Sequence, residues 1–239
     1  GIVGIGLGII MAFFKEYIEN IDKKDQENID KIKSLFINIF DIIPFYKSKN
    51  NDWKFLINKI PYGRHELDDN DIQAVVDILK KGDITQGQTV DDFGQALADY
   101  AGAKYGVAVS NGTAALHLSV AALGIGPGDE VITTPMTFCA TANAALYQGA
   151  DVKFVDIDQN TLNIDPGLIE EKITERTKAI MPVDFRGHPA NLPEIKKIAD
   201  IHNLRIIEDG SHSIGSSYNH NGKEHFCGDS IHADLCTYS

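Results

Sequence analysis

The sequence predicts an α/β protein with a three-layer α/β/α fold around a mixed, mostly parallel sheet. From about residue 60 onward, short apolar segments alternate with helical patterns through the rest of the 239-residue chain. Strands that alternate with helices of this length form parallel or mixed sheets with helices on both faces. The hydrophobic share of 43% is ordinary for a globular protein with a sizeable core.

The predicted elements can be placed in chain order from hydrophobic periodicity and turn residues. A first helix is predicted over 68–81, and a second over 91–100 with Phe93, Leu97 and Tyr100 facing inward. Further helices are predicted at 111–123, 137–149, 166–173 and 193–202. Strands are predicted at 106–110, 131–134, 150–158, 178–183 and 204–209.

Charge and cysteine content exclude two classes of protein. The formal net charge is −12, whereas a nucleic-acid-binding protein needs clustered lysine and arginine for its phosphate contacts. Cys139, Cys227 and Cys236 are too few and too irregularly spaced for a disulfide framework. We therefore expect no nucleic-acid partner and a cytoplasmic location.

The N-terminal 60 residues differ in composition from the rest. Residues 1–14 are apolar and uncharged, and residues 15–33 are densely charged. Fourteen residues are too few to span a bilayer, which needs about 20. Residues 1–60 nevertheless resemble the last membrane helix and tail of a Wzz-type chain-length regulator. The segment is therefore either a membrane-helix stub that allows membrane contact through residues 1–14 or a buried helix, followed by a linker. We predict domains at 1–60 and 61–239.

Ligands of open α/β sheets bind at the carboxyl ends of the strands, where loops lead into helices. Four loops qualify: 110–115, 134–140, 184–188 and 209–212. These loops also carry the polar side chains that are best suited to binding or catalysis, so we expect the functional site at this edge of the sheet.

The first of these loops has the features of an anion site. Gly112 and Thr113 open a helix directly after a predicted strand. The free N–H groups and the positive end of the helix favour a phosphate there. An ordinary helix N-cap formed by Asn111 explains the same residues without a ligand.

Each of the other loops also has two interpretations. Asp209 follows a buried strand and is suited to pairing with a cationic nitrogen, binding a metal or capping a turn. Phe138 at a helix start is suited either to covering a flat ring or to packing in the core. His212, taken alone, reads as a core histidine.

Together these residues are more specific than they are separately. A helix start for a phosphate, an aromatic ring and an aspartate, on successive strands, form the binding layout of pyridoxal 5'-phosphate (PLP). The segments SNGTAALHL, GPGDEVITTPMTFCATANAALYQGADVKFVDID, RIIEDGSHSIGSSY and CTYS resemble the DegT/DnrJ/EryC1/StrS aminotransferases over about residues 60–239. This family belongs to fold type I of the PLP enzymes, so the chain resembles part of a PLP-dependent transferase large domain.

The resemblance implies a role for each matching residue. Gly112, Thr113, Ala114 and Ser239 would hold the cofactor phosphate, Phe138 would stack on the ring, and Asp209 would pair with the ring nitrogen. His212 would lie beside the ring, and Thr85, Gln86 and Gly87 would line the sugar site. Asp184 occupies a position where many relatives have histidine.

The resemblance also implies an activity. It is nearest to the aminotransferase of the pseudaminic acid pathway, which transfers an amino group from glutamate to a UDP-linked 4-keto-6-deoxy sugar. Relatives are homodimers. The Schiff-base lysine of the family follows the motif serine by five positions, which places it beyond Ser239, together with the C-terminal small domain. We therefore expect a chain that ends at Ser239 to be inactive.

Three alternatives remain open. The lysine position separates an aminotransferase from a sugar dehydratase of the same family, in which histidine replaces lysine. An inactive fragment, or a fusion with a membrane polysaccharide regulator, is the third. A zinc site at His225, Cys227, His232 and Cys236 is disfavoured because the spacing fits no common structural site, so no metal is predicted.

Overall fold

A sheet of five parallel strands forms the centre of the described part of the chain. The computed structural model describes residues 66–81 and 84–239, and the elements listed here lie within one unit, Asp69–Ser239. The strands of this sheet are β1 (Glu130–Thr133), β2 (Asp151–Phe154), β3 (Thr177–Ile180), β4 (Arg205–Asp209) and β7 (Leu235–Thr237). Their order across the sheet is β2-β1-β3-β4-β7, and every neighbouring pair is parallel.

Consecutive residues in the central strands enter two different cores. Val131, Ala179 and Ile207 pack on one face with α3 (Gly112–Ala122) and α4 (Cys139–Tyr147). Ile132, Ile180 and Ile206 pack on the other face with α5 (Leu192–His202). Side chains alternate across a strand, so a strand buried on both faces reads as a continuous apolar run. This arrangement confirms the predicted three-layer fold.

The first two helices match their predicted positions but not all of their predicted contacts. They are α1 (Asp69–Lys81) and α2 (Gln88–Ala101). In α2 the buried residues are Gly94, Ala98 and Ala101, whereas Phe93 and Tyr100 are each 61% exposed. The prediction that Phe93 and Tyr100 face inward was wrong, because small residues form the packed face of this helix.

Two predicted elements take another form. Residues 106–110 pair with no described strand, and Val107 is 85% exposed. An apolar, β-branched segment forms a strand only where a neighbour completes its hydrogen-bond ladder. The predicted helix over 166–173 is instead two short 3₁₀ turns, Pro166–Leu168 and Glu170–Lys172.

A small antiparallel hairpin was not predicted. Its strands are β5 (Ser217–His220) and β6 (Lys223–Phe226), joined through Asn221 and Gly222, which both have positive φ. The sequence over 217–226 is polar, so it lacks the apolar run by which the other strands were recognised.

The membrane hypothesis concerns residues outside the described part. Within the described residues, no helix combines the length and the apolar character needed to cross a bilayer. Residues 1–60, including the apolar segment 1–14, lie outside those residues, so their predicted role and the boundary near residue 60 stay predictions.

The close approach of two glycines gives a test of the packing around α2. A Cβ added at Gly94 would lie 2.7 Å from the backbone oxygen of Gly106. We expect Gly94→Ala to lower the free energy of unfolding by about 1–3 kcal/mol, as overpacking does. Helix propensity alone would favour alanine by about 1 kcal/mol. A decrease in the free energy of unfolding would therefore be due to the steric contact.

Urea unfolding of Gly94→Ala and of Gly126→Ala measures this effect. At Gly126 the nearest atom to an added Cβ is the Gln148 oxygen at 3.7 Å, an ordinary contact. That control is expected to stay within about 0.5 kcal/mol of the unsubstituted chain. Equal stability of the two variants would contradict the packing described here.

Candidate functional site

The carboxyl end of β4 carries Asp209, a buried carboxylate that is 4% exposed. The backbone of Asp209 is fixed on both sides. Its N–H donates to the Pro182 carbonyl, its own carbonyl accepts from Asp184 N–H, and the residue lies opposite Thr237 of β7. The parallel sheet therefore sets the position of this side chain at the edge where ligands of such sheets bind.

Two hydroxyl groups hold the Asp209 carboxylate. Thr141 Oγ1 donates to Oδ2 at 2.6 Å, and Ser211 Oγ donates to Oδ1 at 2.7 Å. Thr137 Oγ1 lies 2.6 Å from Thr141 Oγ1. Because the Thr141 hydroxyl donates its own proton to Asp209, it can accept a hydrogen bond from Thr137. None of the ion pairs in the described part of the chain involves Asp209.

Thr141 also links Asp209 to Phe138. Phe138 is the N-cap residue of α4, and its carbonyl accepts a hydrogen bond from Thr141 N–H at 3.2 Å. The Phe138 side chain is 75% exposed. An aromatic face is thus available one helical turn before the residue that binds the buried carboxylate.

The start of α3 meets the end of the described chain. A Cβ at Gly112 would lie 2.6 Å from Ser239 Cβ and 2.8 Å from Ser239 Oγ, so only glycine allows this approach. β7, which carries Ser239 beyond its end, is the neighbour of β4. The serine hydroxyl is therefore held against the first turn of α3, on the same edge of the sheet as Asp209.

The N–H groups of this first turn differ in whether they already have a hydrogen-bond acceptor. Asn111 Oδ1 accepts from Ala114 N–H at 2.8 Å, which is ordinary N-capping. Gly112 and Thr113 stand at the first two helical positions, where an N–H has no acceptor within the helix. An anion at this turn would therefore meet Gly112, Thr113 and the Ser239 hydroxyl first, while Ala114 N–H is already engaged.

The structure thus brings together the residues predicted for one ligand. The helix start with Gly112 and Thr113, the Ser239 hydroxyl, Phe138 and Asp209 all lie at the carboxyl edge of one sheet. His212 lies in the loop after Asp209 and is exposed. Residues 85–87 (Thr85, Gln86 and Gly87) precede α2. Within the described residues, none of them hydrogen-bonds to Asp209 or to its partners Thr141 and Ser211.

A second buried acidic group lies behind Asp209 and was not recognised from the sequence. Asp184, Glu208 and Cys227 are buried, and one ligating atom of each lies within 4.8 Å of the others. Asp184 accepts from Ala190 N–H at 2.8 Å and from Ser213 Oγ at 2.6 Å. In the sequence, Glu208 appears only as part of a buried strand. The one signal available there is the alternation of side chains along a strand, which places Glu208 on the face opposite to that of Asp209.

Burial and the nearby Asp184 raise the pKa of Glu208 to about 8. Oε2 of Glu208 accepts from Gly228 N–H at 2.9 Å, but Oε1 has no hydrogen-bond partner within the described residues. Burial also raises the pKa of the Cys227 and Cys236 thiols, which therefore stay protonated. Glu208 and the two thiols are accordingly uncharged, proton-bearing groups under the edge of the sheet near neutral pH.

Comparison with known proteins gives consistent matches to one family. The model of the DegT/DnrJ/EryC1/StrS aminotransferase family matches residues 65–230. The chain is 44% identical over 159 residues to the spore coat polysaccharide biosynthesis protein SpsC of Bacillus subtilis (strain 168), covering 66% of this chain and 41% of SpsC. It is 40% identical over 176 residues to the UDP-4-amino-4-deoxy-L-arabinose–oxoglutarate aminotransferase of Shewanella sediminis (strain HAW-EB3), covering 73% of this chain and 45% of that protein.

Solved structures give the same result. NtdA from Bacillus subtilis with bound cofactor PMP superposes with a TM-score of 0.60 at 31% identity, covering 70% of this chain and 44% of that chain. The chain spans about two fifths of the length of the curated relatives described above.

The pKa of Glu208 predicts a specific pH dependence of stability. The folded chain keeps the proton up to about pH 8, whereas the unfolded chain loses it near the ordinary value of 4.5. Between these values the unfolded state binds fewer protons, so the free energy of unfolding falls as pH rises. The expected slope is at most about 1.4 kcal/mol per pH unit for one group.

Glu208→Gln tests this because glutamine is neutral at every pH and nearly the same shape. We expect the variant to lose this part of the pH dependence, so that its stability relative to the unsubstituted chain rises from about pH 4.5 and levels off above about pH 8. Urea unfolding across the pH range measures it, with Glu224→Gln on exposed β6 as the matched control. A Glu208→Gln profile parallel to that of the unsubstituted chain would contradict the raised pKa.

Proposed function

This chain belongs to the DegT/DnrJ/EryC1/StrS aminotransferase family, and from this premise we propose that it forms part of the active site of a PLP-dependent sugar aminotransferase. The observation that carries the proposal is the buried Asp209 carboxylate, which accepts two hydroxyl hydrogen bonds and has no cationic partner within the described residues. Burying a carboxylate without a cation is unfavourable, and a protonated pyridine nitrogen supplies that cation.

The residues present fit the other parts of this cofactor as well. The phosphate requires several donors at one point, and Gly112 N–H, Thr113 N–H and the Ser239 hydroxyl offer them at a helix start. The pyridine ring requires a flat apolar cover, which the exposed Phe138 ring offers. A Cβ at position 112 would collide with Ser239, so glycine there keeps the two phosphate-binding elements together.

PLP, when bound, carries the amino group between donor and acceptor and withdraws electrons into its ring. In this proposal Asp209 keeps the ring nitrogen protonated, and Thr141 and Ser211 fix the orientation of Asp209. Phe138 excludes water from one face of the ring. Asp184 N–H and the Pro182 carbonyl hold the backbone of Asp209 in place.

The names of the relatives support a nucleotide-sugar substrate. One relative is named for a UDP-linked amino sugar and oxoglutarate, and another for spore coat polysaccharide biosynthesis. We propose glutamate as the amino donor, because oxoglutarate is what remains of glutamate after it gives up its amino group. The homodimer and the membrane contact expected from the sequence stay predictions.

The cofactor proposal is tested by the binding of pyridoxamine 5'-phosphate (PMP), which requires no covalent bond to a lysine. Fluorescence titration gives its Kd for the unsubstituted chain and its variants. We expect Thr141→Val to weaken binding by about tenfold, since the loss of one hydrogen bond to a charged group costs about 1.5 kcal/mol or more. Asp209→Asn is expected to weaken it further, because it removes the partner of the protonated ring nitrogen.

Thr133→Val is the matched control for Thr141→Val. Thr133 Oγ1 is also buried and hydrogen-bonded, but it donates to the Met181 carbonyl at 2.8 Å and does not touch Asp209. Both variants should lower stability, while only Thr141→Val should lower PMP affinity. Equal PMP affinity in all four chains would refute the proposed site.

The finer proposal is that the acceptor is a UDP-linked 4-keto-6-deoxy-N-acetylhexosamine, as in pseudaminic acid biosynthesis. The assay requires the lysine that the family resemblance places after Ser239, so it is done on a chain extended through that position. With glutamate and this keto sugar we expect an amino sugar, detected by mass spectrometry, at a kcat/KM at least tenfold above that for a UDP-linked 4-keto pentose. A product that has lost water instead of gaining an amine would identify a dehydratase and overturn the proposal.

A further inference from the structure

A second cluster of chemically active side chains lies on the hairpin and in the loop that follows it. His220 is on β5, His225 is on β6, and Asp229 and His232 are in the loop between β6 and β7. We propose that His225, Asp229 and His232 bind a divalent transition-metal ion of the Zn²⁺ type, with His220 as the nearest further ligand. This proposal does not depend on the proposed aminotransferase function.

The distances suit one metal ion. One nitrogen of each of His225 and His232 and one carboxylate oxygen of Asp229 all lie within 4.8 Å of one another. The ring centroids are 5.0 Å apart for His225 and His232, and 5.3 Å apart for His220 and His232. Two imidazoles on one tetrahedral Zn²⁺, with Zn–N distances of about 2 Å, have centroids about 5 Å apart.

His220 is placed to complete the set with a small movement. Its ring centroid is 6.5 Å from that of His225, which is somewhat longer than a shared tetrahedral ion requires. Three imidazoles and one carboxylate are nitrogen and oxygen ligands that Zn²⁺ accepts. The spacing H-x-x-x-D-x-x-H over residues 225–232 fits none of the common structural zinc motifs, so the sequence alone does not indicate this site.

Neighbouring groups fix the orientation of two ligands before any ion binds. Tyr218 OH lies 2.7 Å from His232 Nδ1, which leaves Nε2 as the nitrogen for a metal. Asp229 Oδ1 accepts from Ile231 N–H at 2.9 Å, while Oδ2 lies 2.9 Å from His225 Nδ1. Outer hydrogen bonds of this kind are a regular part of metal sites because they set the ring orientation and the tautomer.

The environment also favours the neutral imidazole that a metal requires. Burial lowers the pKa of His232, and His225, His220 and Lys196 lower it further, against the opposing effect of Asp229. His225 and Asp229 are largely buried, with side chains 7% and 15% exposed. An ion bound by both side chains would take the place of the hydrogen atom between His225 Nδ1 and Asp229 Oδ2, which lie 2.9 Å apart.

Two measurements on the 239-residue chain test the proposal. Isothermal titration calorimetry with ZnCl₂ is expected to show one site, and Zn²⁺ is expected to raise Tm. His232→Ala and Asp229→Asn should each weaken Zn²⁺ binding at least tenfold, and Tyr218→Phe should weaken it by about tenfold through loss of the outer hydrogen bond. His188→Ala, an exposed histidine outside the cluster, is the matched control and should bind as the unsubstituted chain does.

The absorption spectrum of added Co²⁺ identifies the ligand type. We expect d–d bands without a thiolate charge-transfer band, because the proposed ligands contain no sulfur. A thiolate band would assign the ion to Cys139, Cys227 or Cys236 and overturn the proposal. Absence of a Zn²⁺ site in the unsubstituted chain, or unchanged binding in Asp229→Asn with an unaltered circular dichroism spectrum, would overturn it equally.

Discussion

The structure of the candidate site depends on one interaction, the hydrogen bond from Thr141 to the buried carboxylate of Asp209. It joins the end of β4 to the first turn of α4, and so ties the carboxylate to the turn that begins at Phe138. Without it, the Asp209 carboxylate would keep only the hydroxyl and the N–H of Ser211, which belongs to its own loop and joins it to no other element. A buried carboxylate that loses a donor becomes costly to bury, so the same bond stabilises the fold.

Two adjacent acids at the end of β4 occupy different environments because side chains alternate across a strand. Glu208 points to the face that also holds Asp184, where burial raises its pKa to about 8. Asp209 points to the α4 face and meets hydroxyl donors. Glu208 and the Cys227 and Cys236 thiols are therefore uncharged near neutral pH and add no negative charge beside Asp209. This separation suits a site in which Asp209 alone is to face a cation.

Sequence patterns predicted most of the fold because its central strands are buried on both faces and its helices have clear starts. They predicted the site edge because carboxyl ends of parallel strands must share one edge. They failed where the outcome depended on a distant partner. Residues 106–110 have strand-like residues but no described neighbour, and Phe93 lies outside the small-residue face of α2. The environment of Glu208 and the histidine cluster depend on tertiary contacts that spacing alone does not contain.

The histidine cluster and the candidate cofactor site are connected through the chain itself. The loop from Cys227 to Asp234 begins with Cys227 N–H donating to Ser216 and Gly228 N–H donating to Glu208, and it ends with Asp234 bonded to the backbone of Ile206. It leads directly into β7, and β7 carries Ser239 to the helix start at Gly112. An ion bound by Asp229 and His232 would order the middle of this loop. Only two residues separate this loop from Thr237, which forms the final ladder pair of β7 with Asp209. That order would therefore act on the position of the Ser239 hydroxyl and so on the phosphate end of the proposed site.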